Sequence, residues 1–153
     1  MNRINLRNLD NSYCSSLNQF QKKNRLNLNN NLWDENELKN LLTSHGFYGK
    51  ICLNKDNILA FCLAKTSGDR LEIYSIFVDI FWRRKGIAKK ILEDCINFCK
   101  KKKVEKIILE VSSKNKVAKK FYLKKKFKIC GIREGYYSNR SEKVDALIME
   151  YNI

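Results

Sequence analysis

Glu72-Ile73-Tyr74-Ser75-Ile76-Phe77-Val78-Asp79, followed three residues on by Arg83-Arg84-Lys85-Gly86-Ile87-Ala88, is the stretch on which the reading of this chain turns. Arg70 to Val78 reads as a strand, rich in β-branched and aromatic residues and opened by the turn-forming Ser67, Gly68 and Asp69. From Gly86 to Lys103 the apolar positions Ile87, Ala88, Ile91, Leu92, Cys95, Ile96 and Cys99 fall on one helical stripe. Between strand and helix lies a short basic turn. Gly86 lets the backbone come close to a ligand, the first N–H groups of the helix have no internal partners, and the helix dipole favours negative charge there. Such a turn suits a pyrophosphate; taken alone, it equally describes the basic first turn of a surface helix.

Outward from this unit, Lys106 to Val111 predicts a fourth strand, with Ile107, Leu109 and Val111 on one face and Ile108 and Glu110 on the other. A shorter helix follows, capped by Ser113 or Asn115 and carrying Val117, Ala118, Phe121 and Tyr122. Phe127 to Arg133 and Val144 to Tyr151 read as closing strands. Upstream, the strands Phe47 to Leu53 and Ile58 to Lys65 are joined by Asn54, Lys55, Asp56 and Asn57. Two helices precede them. The first, about Asp10 to Asn24, offers Leu17 and Phe20 to a core; the second is capped by Asp34 with Glu37 at the capping-box spacing, presents Leu38, Leu41 and Leu42, and closes at Gly46. The patch Asn27 to Asn31 predicts a loop between them. The order is α+β with a strand-helix-strand unit at its centre.

Composition bounds the class. With 153 residues, 44% of them hydrophobic and 11% aromatic, the chain predicts one globular domain over residues 1–153 and excludes a disordered tail, a fibre or a disulfide scaffold. Net charge is +15, unevenly placed: residues 1–79 hold 10 basic and 8 acidic side chains, residues 80–153 hold 21 and 8. An anionic ligand would meet the second half. The drift of an AT-rich coding sequence is an equal explanation of the excess, given 23 Lys against 8 Arg and no proline. Six cysteines show no metal-binding spacing and sit where small hydrophobes fit, so no metal site is expected and a reducing, cytoplasmic compartment is. Met1 to Asn11 is polar, which predicts no secretory signal or membrane anchor.

Downstream of the basic turn stand Glu110-Val111 and Asn115-x-x-Ala118-x-x-Phe121-Tyr122-x-x-x-x-Phe127. Together with the opening stretch they resemble the GNAT family of acetyl-CoA-dependent N-acetyltransferases, whose phosphate loop reads Gln/Arg-x-x-Gly-x-Gly/Ala; the resemblance spans about residues 30 to 151. Leu32-Trp33-Asp34, Leu109-Glu110-Val111 and the tail Ile132-Arg133-Glu134-Gly135-Tyr136-Tyr137 with Asp145-Ala146-Leu147-Ile148-Met149 are most similar to the ribosomal-protein-alanine (RimI) type of that family.

The resemblance implies an α/β three-layer fold, a mixed β-sheet flanked by helices and splayed open between the third strand and the strand of Lys106 to Val111. Acetyl-CoA would lie in the gap, its pantetheine arm against the backbone of Ile76, Phe77 and Val78 and its pyrophosphate against Arg83, Arg84, Lys85, Gly86, Ile87, Ala88 and Lys89. Asn115 would contact the cofactor arm, besides capping its helix. Glu110 would be the general base and Tyr122 the acid that protonates the departing CoA sulfur. Trp33, Tyr136, Tyr137 and Asp145 would meet the acceptor, a protein or peptide N-terminus such as the alanine of a small-subunit ribosomal protein, with contact to ribosomal RNA incidental and no membrane involved.

Two departures from the family pattern are visible. Ile80 stands where the family has proline, which predicts a looser turn. Lys126 replaces the glycine that ends the helix before the closing strands, and because lysine in a left-handed cap costs about 1 kcal/mol, that helix is expected to end in another way.

Acetyl transfer to an amine needs a neutral nucleophile and a proton for the leaving thiolate, and an α-amino group with a pKa of about 7.7 to 8.0 must first lose a proton. Glu110 and Tyr122 could instead be a satisfied carboxylate and a core aromatic. His45 lies far from the motifs, Cys130 lacks a histidine partner for an acyl-enzyme route, and Glu72 is as easily structural. The alternatives are acceptors such as lysine side chains or polyamines, a domain that binds CoA without turnover, and, remotely, a basic RNA-binding protein.

Overall fold

The computed structural model describes residues 4–29, 31–139 and 142–153. Seven strands form one sheet in the order β1-β2-β3-β4-β5-β7-β6: β1 Ile4–Asn8, β2 Phe47–Asn54, β3 Asn57–Ser67, β4 Arg70–Val78, β5 Lys106–Ser112, β6 Lys128–Asn139 and β7 Glu142–Asn152. Only β4 and β5 are parallel, as their crossover through the helix α3 (Ile87–Lys102) requires. α1 (Cys14–Lys23) and α2 (Glu35–Thr43) cover one face over the first four strands, packing Leu17, Phe20 and Leu38 on Ile51, Phe61, Leu63 and Phe77. α3 and α4 (Lys116–Lys124) cover the other, burying Ile91, Leu92, Cys95 and Tyr122 on Leu71, Ile73, Leu109 and Met149. The fold is α+β in three layers, as the sequence predicts.

Local chemistry accounts for the element ends. Asp34 and Glu37 form the predicted capping box, each side chain accepting the other's backbone N–H at 2.8 Å. Asp79 caps the 3-10 turn Ile80–Trp82 by accepting the Phe81 N–H at 3.0 Å, so the turn that lacks the family proline is held by a buried carboxylate instead.

Four expectations are corrected. Ile4–Asn8, in the polar segment to which the sequence assigned no element, pairs antiparallel with β2 from Ile4↔Asn54 to Asn8↔Lys50. The closing strands run further than predicted, as a long β6–β7 hairpin that takes in Glu134 to Tyr137. Cys130 is exposed on β6, whereas the other five cysteines are buried; all six are free. Finally, α4 does end in a left-handed cap despite its lysine: Lys126 has φ 69°, and the N–H groups of Lys126 and Phe127 bond the carbonyls of Leu123 and Tyr122 at 3.0 and 3.1 Å. Burial of Phe127, two per cent exposed against Tyr122 and Tyr151, outweighs the backbone strain. Position 30 of the Asn-rich patch lies outside the described residues, and no described helix is long and apolar enough to cross a membrane.

Candidate active site

The sheet opens where the family resemblance implies. The parallel ladder holds for four rungs, Arg70↔Lys106 to Ile73↔Leu109, and stops, although β4 continues to Val78 and β5 to Ser112. Tyr74, the next residue, is a bulge: Ser75 opposes Leu63 and Ile73 opposes Ala64, leaving Tyr74 unopposed. A bulge bends its strand and increases local twist, and here it also inverts the alternation. Leu71 and Ile73 pack toward α3 before it, Ile76 and Val78 after it. β4 therefore turns away from β5, and the gap lies between Tyr74–Val78 and Glu110–Ser112.

At one mouth of the gap is the turn into α3. Gly86 caps the helix at φ 79° with no side-chain hydrogen bond, and a Cβ there would find no atom within 4 Å. The first intrahelical bond runs from the Lys90 N–H to the Gly86 carbonyl at 3.0 Å, so the amides of Ile87, Ala88 and Lys89 have no helical partners. Arg84 also adopts a left-handed backbone, φ 62°. Free N–H groups, an open approach and a helix N-terminus among Arg84, Lys85 and Lys89 fit a phosphate group. Arg83 is turned elsewhere: its Nε donates to the Val78 carbonyl at 3.0 Å and its guanidinium lies 5.6 Å from the Phe77 ring centre. That contact closes one side of the Val78 carbonyl, one of the backbone groups expected to face the cofactor arm. Lys85 sits 4.4 Å over the Trp82 ring. Asn115 caps α4, its Oδ1 accepting the Ala118 N–H at 3.1 Å.

At the other mouth, Glu110 projects from β5 onto the face opposite α3 and α4, since its neighbours Leu109 and Val111 belong to the core on that side. Its carboxylate pairs with Arg133, Nε to Oε1 3.1 Å. The Arg133 guanidinium lies 5.3 Å from the Tyr136 ring centre, and Tyr136 meets Tyr137 edge-on at 5.1 Å. Burial, and then the Glu110 charge, push the Tyr137 phenol above its ordinary range. This corner is shaped by a three-residue bulge between Arg133↔Ala146 and Tyr137↔Val144. Gly135 turns it at φ 61°, and its N–H donates to the Asp145 carboxylate at 2.8 Å. Asp145, expected to face the acceptor, thus braces the loop that carries the tyrosine pair.

Tyr122 is buried on the α3–α4 side of the gap, between Phe121 and Phe127. Burial pushes its phenol well above the ordinary 10.0. Trp33 stands on the far side of the opening, its ring 5.8 Å from that of Tyr74. Two buried amides on α1 hold its backbone: Gln21 bonds both its N–H (3.0 Å) and carbonyl (3.1 Å), and Asn18 donates to the same carbonyl at 3.1 Å.

Sequence reasoning missed the positions of Arg133, Tyr74, Asn18 and Gln21. The last two were legible as polar members of the Cys14, Leu17, Asn18, Gln21 stripe; no local signal points to the others.

Residues 7–127 match the acetyltransferase (GNAT) family, and the chain belongs to it. It is 34% identical over 83 residues to the ribosomal protein bS18-alanine N-acetyltransferase of Haemophilus ducreyi, a match covering 54% of this chain and 57% of that relative. The chain thus spans a little over half the length of that curated relative. In fold it is similar to the crystal structure of the ribosomal-protein-S18-alanine N-acetyltransferase from Escherichia coli, with a TM-score of 0.87 at 21% identity over 99% of this chain and 94% of that one. It is also similar to Arabidopsis thaliana NAA60 in complex with acetyl-CoA, with a TM-score of 0.84 at 16% identity over 99% of both chains.

Proposed function

We propose that this chain is an N-acetyltransferase that uses acetyl-CoA to acetylate a protein N-terminal α-amino group, with the alanine of a small-subunit ribosomal protein as the favoured acceptor. The observation that carries the reading is the pairing of two mouths on one gap: free helix amides among basic side chains at one, a carboxylate flanked by tyrosines at the other. Family membership supports the chemistry, and the activity for which the bS18-alanine relatives are named supports the acceptor. Residues 1–153 act as one catalytic domain, in the cytoplasm, where the six free thiols are kept reduced.

Acetyl-CoA supplies the acetyl group as a thioester, so transfer exchanges a C–S bond for a C–N bond and moves one proton from the amine to the departing sulfur. Arg84 to Lys89 hold the phosphates, and the β4 edge beyond the last rung lies along the cofactor arm. Glu110, paired with Arg133, takes one proton from the incoming ammonium, directly or through water, and the second, lost as the C–N bond forms, is the one that reaches the sulfur. Tyr122, a buried hydroxyl on the α3–α4 side of the gap, is the group assigned to give one to the sulfur. Trp33 with Tyr74 on one side and Tyr136 with Tyr137 on the other flank the acceptor.

The test offers acetyl-CoA with peptides beginning Ala, Ser, Gly, Met or Lys, each with a free or blocked amino terminus, alongside spermidine. Preference for a free terminus with a small first residue is expected. Equal rates on blocked, lysine-containing peptides or on spermidine would overturn the acceptor and leave the enzyme class standing.

A further inference from the structure

The Glu110–Arg133 pair joins two strands that are not neighbours. β7 lies between β5 and β6, so the side chains must bridge two inter-strand steps, roughly 10 Å. The register makes the bridge possible. Arg133 opposes Ala146, and Ala146 opposes Ser112, two residues beyond Glu110 on the same face. The residue under the crossing is thus the smallest side chain on that face of β7, where Ile148 and Glu150 follow. Ala146 is fully buried although it belongs to neither helix-covered core cluster, as it would be with a long side chain laid over it.

From this geometry we infer that Arg133 is a positioning residue for the reaction: it fixes the Glu110 carboxylate at the gap and ties it to the loop that carries Tyr136 and Tyr137. The inference rests on the reading of Glu110 as the base. Three contacts make the tie: the ion pair at 3.1 Å, the guanidinium at 5.3 Å from the Tyr136 ring centre, and the Asp145–Gly135 bond at 2.8 Å that holds the bulge between them. Glutamate has three rotatable side-chain bonds, and no other hydrogen bond to its carboxylate is present among the described residues. Without Arg133 the carboxylate samples several rotamers, and misplacement of a base by about 1 Å can lower turnover on the order of 10²-fold. The pair is half exposed on the arginine side, 54% against 21% for Glu110, so solvent screens it and its contribution to stability is small. Position and stability are therefore separable by experiment.

Arg133→Gln should lower kcat at least ~10-fold with KM for acetyl-CoA unchanged and the melting temperature within ~3 °C of wild type; Arg133→Lys, which keeps the charge and loses the fork, should recover part of the rate. In a Glu110→Gln background Arg133→Gln should have no further effect on kcat. Full additivity, or a change confined to KM for the peptide, would overturn the inference in favour of direct acceptor contact. The carbon-13 resonance of the Glu110 carboxyl reads the tie without turnover, and Arg133→Gln should shift and broaden it. An unmoved resonance overturns the positioning role; a moved one in a protein that acetylates no acceptor keeps the tie and removes the proposed function.

Discussion

Glu110 and Tyr122 stand on opposite faces of the sheet, in different environments. The carboxylate is partly exposed beside a cation, whereas the phenol is buried among aromatic rings. Glu110→Gln should lower turnover about 10²-fold near neutral pH, with partial recovery as the pH rises past the acceptor's pKa of about 8 and the amine deprotonates unaided. Tyr122→Phe should slow the step that releases CoA while leaving its affinity nearly intact, since phenylalanine keeps the ring packed between Phe121 and Phe127. Steady-state rates from pH 6 to 9.5, with CoA affinity by calorimetry, check both; wild-type rates in both variants would move the chemistry elsewhere. Both residues were singled out in the sequence through its resemblance to the GNAT family, whose motifs follow the basic turn in order. Arg133 was visible only as part of a tail motif, because its partner is 23 positions away and is reached across an intervening strand.

At the scale of elements, the helix ends show where local preference yields to packing. α3 and α4 both close on a lysine with positive φ, Lys103 at 56° and Lys126 at 69°, where glycine is the usual choice. Each bears a strain of about 1 kcal/mol. At Lys126 the chain must reverse at once to place Phe127 in the core beneath Tyr122, and the burial of one aromatic ring exceeds that strain. Lys126→Gly should therefore raise stability by about 0.5 to 1 kcal/mol, a net of relieved strain and added unfolded-state entropy, and raise the melting temperature by roughly 2 °C. Lys126→Ala should give no gain, because alanine keeps the Cβ. Thermal melts of the two variants decide it, and an equal effect of Gly and Ala would show that the cap is unstrained.

Over the whole molecule, the core holds weak acids that must stay protonated. Burial pushes the Cys99 thiol up to about 12 from an ordinary 9.0, and pushes the Tyr48 and Tyr122 phenols well above their ordinary 10.0. The unfolded chain loses these protons first. The stability they contribute is complete below about pH 9 and falls as pH rises through 9 to 12, by up to about 1.4 kcal/mol per pH unit for each group in its titration range. The urea midpoint under reducing conditions should hold steady from pH 7 to 8.5 and drop steeply by pH 11. A flat midpoint would mean that these groups reach solvent in the native state.

The sequence by itself determined the four α-helices, the central strands and the basic turn before α3. The 3.6-residue stripe of α3, the alternation of β5, the capping box of α2 and the glycine before the first helical turn are local patterns, each satisfied by residues within a few positions of one another. Tertiary structure alone decided how wide the sheet opens and what stands at the opening. The bulge at Tyr74 exists because β3 and β4 pair in one register on each side of it, which no periodicity within β4 reveals. The pairing of Ile4–Asn8 with β2 and the crossing of Arg133 over Ala146 likewise depend on strand order, a property of which segments come to lie side by side. Local patterns report which face of a segment seeks the core; they carry no information about its neighbour, and Glu110 on β5, Arg133 with the tyrosine pair on β6 and Asp145 on β7 are brought together only by that choice.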